Sequence, residues 1–348
     1  MRAVVFETFG GRLEVRDVPD PQCPPDGAVI RVLATGICRS DWHGWQGHDD
    51  GITLPHVPGH ELAGTVIAVG PQVRYWADGD RVTVPFVCAC GDCAACRAGE
   101  QQVCEHQTQP GFTHWGSFAD LVAVHRADIN LVRLPDAMSA VTAASLGCRF
   151  ATAYRALTVH GRVEQGQWVA VHGCGGLGLS VVMIAVAAGA RVVAVDVSEG
   201  ARTAALELGA EVALDPTGLS RAVRAEAVVE ATAGGAHVSI DALGDPNTAA
   251  ASILGLRRRG RHIQVGLLLA GHAQPDLPMD RVIGWELEIY GSHGMAAHEY
   301  PTMLAQVASG VLRPDLLVSG TVDLDGAGPA LAAMGKAPTR AGMTVVVP

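Results

Sequence analysis

Four cysteines of this chain are spaced as ligands of a single metal ion. Cys90, Cys93 and Cys96 follow one another at every third position, and Cys104 comes shortly after them. Zn²⁺ accepts four thiolates in a tetrahedron, and a site whose four positions are all filled by protein is structural. The spacing therefore predicts a structural zinc lobe over about 88–105. Cys88 falls outside the spacing and is interpreted as a spectator.

Further metal-ligating side chains are dispersed along the sequence. A catalytic zinc takes three protein ligands and keeps one position open for water or substrate. We predict that Cys38, His60 and Cys148 form such a site once folding brings them together. Asp41 is predicted to accept the imidazole N–H of His60 and so fix its tautomer. Glu61 is predicted to lie behind the metal, either as electrostatic support or as a transient ligand.

A glycine-rich segment has the spacing of a dinucleotide-binding loop. Residues 173–178 read Gly-Cys-Gly-Gly-Leu-Gly, follow a predicted strand and open a predicted helix. In such a loop the first glycine makes a tight turn, the second lets the backbone approach a pyrophosphate, and the third allows helix–strand packing. The helix N-terminus favours the negative charge. The predicted coenzyme contacts of the loop are Gly173, Gly175, Gly176, Leu177 and Gly178.

The identity of the coenzyme is predicted from the end of the next strand. Asp196 stands there, where a carboxylate accepts the adenosine-ribose hydroxyls and repels a 2′-phosphate. This favours NAD over NADP, and the nearby Arg202 leaves NADP as the alternative. Cys23 and Cys174 show no partner pattern and are interpreted as structural.

Composition and charge argue against several other classes of function. The chain has 348 residues, 49% of them hydrophobic, and a formal net charge of −10. A negatively charged chain is not attracted to the phosphate backbone of a nucleic acid, so no nucleic-acid partner is expected. We find no apolar run long enough to span a bilayer and no signal-peptide pattern, so we expect a soluble, cytoplasmic protein without membrane contact. In a reducing compartment, an odd set of crowded cysteines indicates metal ligation rather than disulfides.

The elements that must position these residues fall into two regions. Up to about residue 150, short alternating strands separated by Gly- and Pro-containing turns predict a β-rich, barrel-like region. After that point, apolar strands alternate with helices, which predicts a doubly wound parallel sheet. The predicted elements of this second region are strands at 168–172, 191–195, 227–230 and 262–266 and helices at 179–188 and 201–208.

The combination resembles the zinc-containing medium-chain alcohol dehydrogenases over essentially the whole chain. The resemblance implies an α/β protein with a GroES-like β-rich catalytic domain, residues 1–150 and 291–348, and a Rossmann coenzyme domain, residues 151–290. It also implies NAD, one catalytic and one structural Zn²⁺ per subunit, and reversible hydride transfer between a zinc-bound alcohol and NAD. The segments that carry it are Gly36–Asp41, Pro58–Glu61, the four-cysteine lobe, Gly111–Ser117, Gly147–Cys148, the glycine loop and Asp196.

The same resemblance implies roles for further residues. Ser40 passes the substrate proton through the cofactor ribose to His43, which releases it to solvent. Arg39 and Arg340 match positions that hold the pyrophosphate. The other implied contacts are Thr152, Val265 and Leu267 toward the nicotinamide and Phe86 and Trp115 in the substrate pocket.

Substrate and assembly are the least determined features. Trp115 is larger than the family's usual residue, and the segment 46–54, which borders the pocket, carries His48, Asp49 and Asp50. Small-molecule alcohols, aldehydes or ketones are the expected substrates. A homotetramer is expected, with a dimer as the alternative, through an edge strand at Trp285–Tyr290.

Two other interpretations stay open. One is a zinc-dependent polyol or sugar dehydrogenase of the same superfamily, in which a carboxylate commonly replaces a cysteine ligand, whereas Cys148 is present here. The other is a zinc-ribbon interaction protein, against which the acidic balance argues.

Overall fold

The structure, a computed structural model, describes residues 1–335 and 341–348. The chain divides into two units: Met1–Ala151 with most of the chain after His293, and a second unit built from Thr152–His293. Within the described ranges, no helix combines the length and the apolar character needed to cross a bilayer.

The elements of both units are numbered in chain order. The strands are β1 (Arg2–Val5), β2 (Glu14–Asp17), β3 (Ala28–Gly36), β4 (Glu61–Val69), β5 (Arg81–Thr83), β6 (Leu121–Val124), β7 (Val132–Arg133), β8 (Trp168–His172), β9 (Arg191–Val195), β10 (Val212–Leu214), β11 (Ala236–Asp241), β12 (Leu256–Gln264), β13 (Glu288–Gly291), β14 (Val318–Val322) and β15 (Met343–Val346). The α-helices are α1 (Arg39–Trp45), α2 (Ala94–Arg97), α3 (Ala127–Asn130), α4 (Ala140–Ala144), α5 (Ala151–Arg155), α6 (Gly176–Ala187), α7 (Glu199–Glu207), α8 (Arg221–Ala231), α9 (Pro246–Leu254), α10 (Met279–Trp285), α11 (Tyr300–Ala308) and α12 (Leu324–Ala333). Wider π-helical turns cover Leu146–Phe150 and Ala156–Gly161, and 3₁₀ turns cover Gln101–Val103, Ala270–His272, Ala297–Glu299 and Pro314–Leu317.

The first unit is β-rich. Its main sheet has the order β14-β15-β3-β4-β5-β7, with β6 also paired to β3. β14 and β15 are parallel, and the other pairs are antiparallel. Ile30 of β3 and Val66 of β4 belong to one buried apolar cluster, which holds the register of these strands. That register sets Gly36, at the end of β3, opposite Glu61, at the start of β4, and so brings together the segments that contain Cys38 and His60.

The second unit contains a fully parallel six-stranded sheet. Its order is β10-β9-β8-β11-β12-β13. Numbered from its first strand, this order is 3-2-1-4-5-6, that of the dinucleotide-binding fold. β8 is buried along its whole length, as expected for a parallel strand covered on both faces. The predicted α/β fold class, with a β-rich part and a doubly wound parallel sheet, is confirmed.

Two predicted strands differ from the structure. The strand predicted at residues 227–230 is wrong, because these residues lie in α8. Ser220 caps this helix by accepting the N–H of Val223 at 3.4 Å. A run of three apolar residues is too short to distinguish a helix from a strand, and the true strand is the next element, β11. The predicted strand at 285–290 begins later, at Glu288, because α10 continues to Trp285.

The glycine loop joins β8 to α6. Gly173 has a φ of 90°, in the left-handed region that favours glycine. A Cβ atom on Gly178 would lie 1.8 Å from the carbonyl oxygen of Gly173. Gly175 differs, because a Cβ atom there would meet nothing within 4 Å. Packing within the unit therefore requires Gly178 but does not require Gly175.

This difference predicts that Gly178→Ala destabilises the protein. The added methyl group must displace backbone atoms, so we expect the free energy of unfolding to fall by ~1–3 kcal/mol or more. Gly175→Ala is the matched control and should unfold like the wild type. Urea denaturation followed by circular dichroism measures both, and equal stability of the two variants would contradict the packing role of Gly178.

Candidate metal centres and coenzyme loop

The folded first unit brings the dispersed metal-ligating residues together. Cys38 stands at the N-terminus of α1, His60 directly precedes β4, and Cys148 lies in the π-helical turn Leu146–Phe150. The ligand atoms of Cys38, His60, Glu61 and Cys148 all lie within 4.8 Å of one another. These are the four residues that the sequence suggested for a single site.

Asp41 orients this group. Its Oδ1 accepts the Nδ1–H of His60 at 2.7 Å and the N–H of Gly59 at 3.1 Å, and its Oδ2 accepts the N–H of Cys38 at 2.9 Å. With the proton on Nδ1, the lone pair of His60 is on Nε2. That nitrogen is buried and has no hydrogen-bond partner among the described residues. An unpartnered buried imidazole nitrogen beside two thiols is the donor arrangement that Zn²⁺ requires.

Arg149 is a residue of this site that the sequence did not indicate. Its backbone N–H and Nε–H donate to Oε1 of Glu61 at 3.0 and 3.1 Å, and its Nη2 donates to Oε2. Glu61 is fully buried, and Arg149 is nearly so. Both carboxylate oxygens of Glu61 are therefore held by one guanidinium in a fork-like geometry.

The electrostatics of the site follow from these contacts. A hydrogen bond from the Cys148 thiol lowers the pKa of Cys38 well below its ordinary value; burial opposes this effect and the charge of Arg149 adds to it. Burial raises the pKa of Glu61 against the opposing charge of Arg149. Two thiolates and a neutral imidazole balance a divalent ion, while Glu61 and Arg149 balance each other. The donor set thus fits Zn²⁺ without leaving an unpaired buried charge.

The four cysteines of the lobe also converge. Their sulfur atoms lie within 4.8 Å of one another, with Cys90 and Cys96 at 3.9 Å and Cys93 and Cys104 at 3.8 Å. Backbone N–H groups point at these sulfurs, as in the contact from Cys90 N to Cys104 Sγ at 3.2 Å. Donation from the N–H groups of Cys96 and Glu105 lowers the pKa of Cys93 to about 6. The converging sulfurs and the backbone N–H groups that point at them fit a four-sulfur zinc site.

Cys88 is not part of that group of four. Its backbone pairs with Thr108, and burial raises the pKa of its thiol to about 12.

The predicted relay residues lie on α1 beside the first centre. Oγ of Ser40 is 3.7 Å from Sγ of Cys38. Ser40 and His43 are three positions apart and so share one face of the helix. Burial lowers the pKa of His43 to about 4, and the charges of Arg39 and His48 add to the effect.

Two phenyl rings border His60. The ring of Phe86 is 6.1 Å from the imidazole and that of Phe112 is 5.3 Å away, measured between centroids. Sequence reasoning named Phe86 but missed Phe112, although it lies in the segment 111–117. Trp115 packs against the apolar cluster that contains Phe118 and donates its indole N–H to the carbonyl of Pro55 at 3.0 Å.

In the second unit, Asp196 bonds to the glycine loop. Its Oδ2 accepts the N–H of Cys174 at 2.6 Å, and its Oδ1 accepts that of Ser198 at 2.7 Å. Arg202 donates to the backbone oxygen of Asp196 at 2.7 Å and pairs with Asp215 at 3.2 Å. The carboxylate of Asp196 therefore stands directly beside the loop, and the charge of Arg202 is already balanced by an acid.

The remaining predicted contacts are placed as follows. The guanidinium of Arg39 lies 4.4 Å above the ring of Trp42 and donates to the backbone oxygen of Met334. Leu267 is 46% exposed just beyond β12, and the N–H of Val265 donates to Asp241 O at 3.1 Å. Thr152 is buried in α5, Gly176 and Leu177 form the first turn of α6, and Arg340 lies outside the described residues.

Comparison with known proteins agrees with both units. The family model for the alcohol dehydrogenase GroES-like domain matches residues 24–136, and that for zinc-binding dehydrogenases matches residues 176–309. An alcohol dehydrogenase of Geobacillus stearothermophilus is 34% identical over 271 residues, which cover 77% of this chain and 78% of the relative.

Solved structures give the same result. The alcohol dehydrogenase TADH from Thermus sp. ATN1 superimposes with a TM-score of 0.89 at 31% identity, covering 100% of this chain and 99% of the other. A zinc-binding dehydrogenase from Sinorhizobium meliloti 1021, bound to NADP, has a TM-score of 0.88 at 28% identity, with coverage of 100% and 99%. The converging cysteines and histidine, the parallel sheet and these similarities agree, and the chain belongs to the zinc-containing medium-chain alcohol dehydrogenase family.

Proposed function

We propose that the protein is a zinc-dependent, NAD-linked alcohol dehydrogenase that interconverts a small alcohol with its aldehyde or ketone. The observation that carries this proposal is the unpartnered, buried Nε2 of His60, held by Asp41 beside the thiols of Cys38 and Cys148. Three protein ligands leave one coordination position for a substrate oxygen. We propose that Glu61 supports this site electrostatically, since Arg149 engages both of its carboxylate oxygens.

The residues around the metal have separate tasks in this proposal. When bound, Zn²⁺ supplies a positive charge that lowers the pKa of a hydroxyl group and polarises a carbonyl. Ser40 accepts the proton of the substrate hydroxyl as its own hydroxyl proton leaves toward His43, and His43 carries a proton outward from the same face of α1. Phe86 and Phe112 exclude water, which strengthens the electrostatic interactions inside. Their rings favour an apolar or aromatic alcohol.

The glycine loop is the proposed site for the pyrophosphate of the coenzyme. Gly175 leaves open space for the approach of a phosphate, and the N-terminus of α6 favours its charge. NAD is proposed over NADP because Asp196 places a carboxylate beside the loop and Arg202 is engaged by Asp215. A structurally similar protein is bound to NADP, and NADP is therefore the alternative coenzyme.

Domain roles, assembly and compartment belong to the same proposal. Residues 1–150 and 291–348 are proposed as the catalytic domain and 151–290 as the coenzyme domain. A homotetramer is proposed because β13 is an edge strand paired only with β12 among the described strands, and Ile289 on it is 38% exposed. A reducing cytoplasm would keep the thiolate ligands available.

The central test joins metal content with turnover. The purified wild type should hold about two zinc ions per chain and should produce NADH absorbance with some member of a panel of primary, secondary, aromatic and polyol alcohols. Cys148→Ala should lose about one ion and all turnover, because the open site needs its third ligand. Cys23→Ser, a change to a half-buried cysteine outside both clusters, should behave like the wild type. Turnover retained by Cys148→Ala would contradict the catalytic assignment.

The second metal site predicts a different phenotype for Cys93→Ser. A hydroxyl is a poor replacement for a thiolate, so this variant should lose about one zinc ion and melt earlier. Its remaining activity at low temperature should exceed that of Cys148→Ala, because the lobe takes no part in the chemistry. Metal analysis and thermal denaturation check this prediction, with Cys23→Ser as control. Unchanged zinc content and melting temperature would refute the structural site.

The coenzyme assignment predicts that Asp196→Ala relaxes the preference for NAD. Loss of a charge-assisted contact of ~1.5–3 kcal/mol should lower the ratio of kcat/KM for NAD to that for NADP by about tenfold or more. Glu211→Ala removes an exposed acid from an ion pair with Arg191 and should leave the ratio unchanged. Steady-state kinetics with both coenzymes decide the matter, and an unaltered ratio in Asp196→Ala would exclude this role.

A further inference from the structure

Two histidines beside the first metal centre form a contact that the proposed function does not use. Nδ1 of His43, on α1, lies 3.0 Å from Nδ1 of His48. The rings are tilted at 43° with centroids 5.3 Å apart, so they meet through their nitrogens rather than by stacking. Such a hydrogen bond requires that one Nδ1 carries a proton and the other accepts it.

The backbone after α1 holds this contact in place. The N–H of His48 donates to the backbone oxygen of His43 at 3.0 Å, and Gly47 between them has a φ of 78°. The ring of Trp42 touches both imidazoles edge-on, at centroid distances of 5.1 Å to His43 and 5.9 Å to His48. Arg39 in turn covers the ring of Trp42. Each histidine is thus fixed by the main chain and by a shared aromatic neighbour.

The pair also runs from the interior to solvent. His43 is half-buried, whereas His48 is exposed. Because Nδ1 of His43 already faces His48, a proton that comes from the site can enter His43 only at Nε2. A proton that leaves His43 through Nδ1 reaches a side chain in contact with water.

The charges around His43 work against storing a proton there. Burial, Arg39 and His48 lower the pKa of His43 to about 4, and the negative field of Cys38 only partly opposes them. The cationic form of His43 is therefore disfavoured near neutral pH, and a relay through it needs an acceptor close at hand.

We propose that His48 is that acceptor and completes a two-imidazole proton path to solvent. A proton bonds to Nε2 of His43 while the Nδ1 proton passes to Nδ1 of His48, and His48 then gives its Nε2 proton to water. One proton enters and one leaves, and no electron is transferred. In the reductive direction the same transfers run backwards. The inference rests on the proposed function, which supplies the proton when an alcohol is oxidised.

The test compares His48→Ala and His48→Gln with the wild type by stopped flow. NADH absorbance and a pH-indicator dye in weak buffer are recorded together, with an alcohol that the wild type oxidises. Both variants should release protons about tenfold more slowly, below the ~10²–10⁴ effect of a group that acts in the bond-breaking step. The KM for NAD should not change. Added imidazole should restore the rate of His48→Ala, which a merely structural role would not allow.

Two further measurements separate a relay from a structural effect. His48→Ala added to His43→Gln should cause no further loss, because both residues serve one path. His272→Ala, a change to an exposed histidine of the second unit, should match the wild type. In the protein without substrate, ¹⁵N NMR should show a hydrogen-bonded Nδ1 on His43 that disappears in His48→Ala.

The outcomes distinguish this inference from the function on which it rests. A wild type that forms no NADH with any alcohol of the panel would overturn both. An active wild type with unchanged proton release and no response to imidazole in His48→Ala would overturn the role of His48 alone. Additive losses in the double variant would overturn it as well.

Discussion

The carboxylate of Asp41 is the interaction on which the first metal centre depends. It is buried, and a buried carboxylate is costly unless donors surround it. Three donors do so here: the N–H groups of Cys38 and Gly59 and the Nδ1–H of His60. One anion thereby closes the first turn of α1, holds the segment before β4 against it, and sets the tautomer that frees Nε2 of His60. The fold of this region and the orientation of His60 are coupled through this single group.

Charge balance explains the composition of the rest of the centre. Cys38 and Cys148 as thiolates offset a divalent ion, so the ion and its ligands carry no net charge into the interior. Glu61 would upset that balance if it stood alone, and Arg149 removes the difficulty by holding both of its oxygens. A buried pair of this kind is strongly destabilising when only one member is removed. Glu61 and Arg149 therefore add a carboxylate beside the two cysteines without leaving its charge unpaired.

The sequence predicted this architecture unevenly, for physical reasons. Ligands close together in the chain, such as Cys90–Cys104, reveal their site because local spacing alone decides their geometry. The parallel sheet was predictable from its buried apolar strands. A run as short as 227–230 is too short to show a helical or a strand-like hydrophobic periodicity, and it is helical in the structure. Arg149 and Phe112 were missed because their partners, Glu61 and His60, lie far away in sequence, and only the register of β3 and β4 brings such segments together.

The short helix α1 shows how much function a few residues can combine. Cys38 at its cap is a proposed ligand, Asp41 in its first turn orients His60, and Ser40 and His43 share a face by helical periodicity. Helical spacing alone leaves His43 half-buried. The glycine turn that follows brings His48 back onto the helix and forms the contact on which the proposed proton path depends. One stretch of backbone thus positions both the proposed metal ligand Cys38 and the proposed proton path, so a change that bends α1 should disturb both at once.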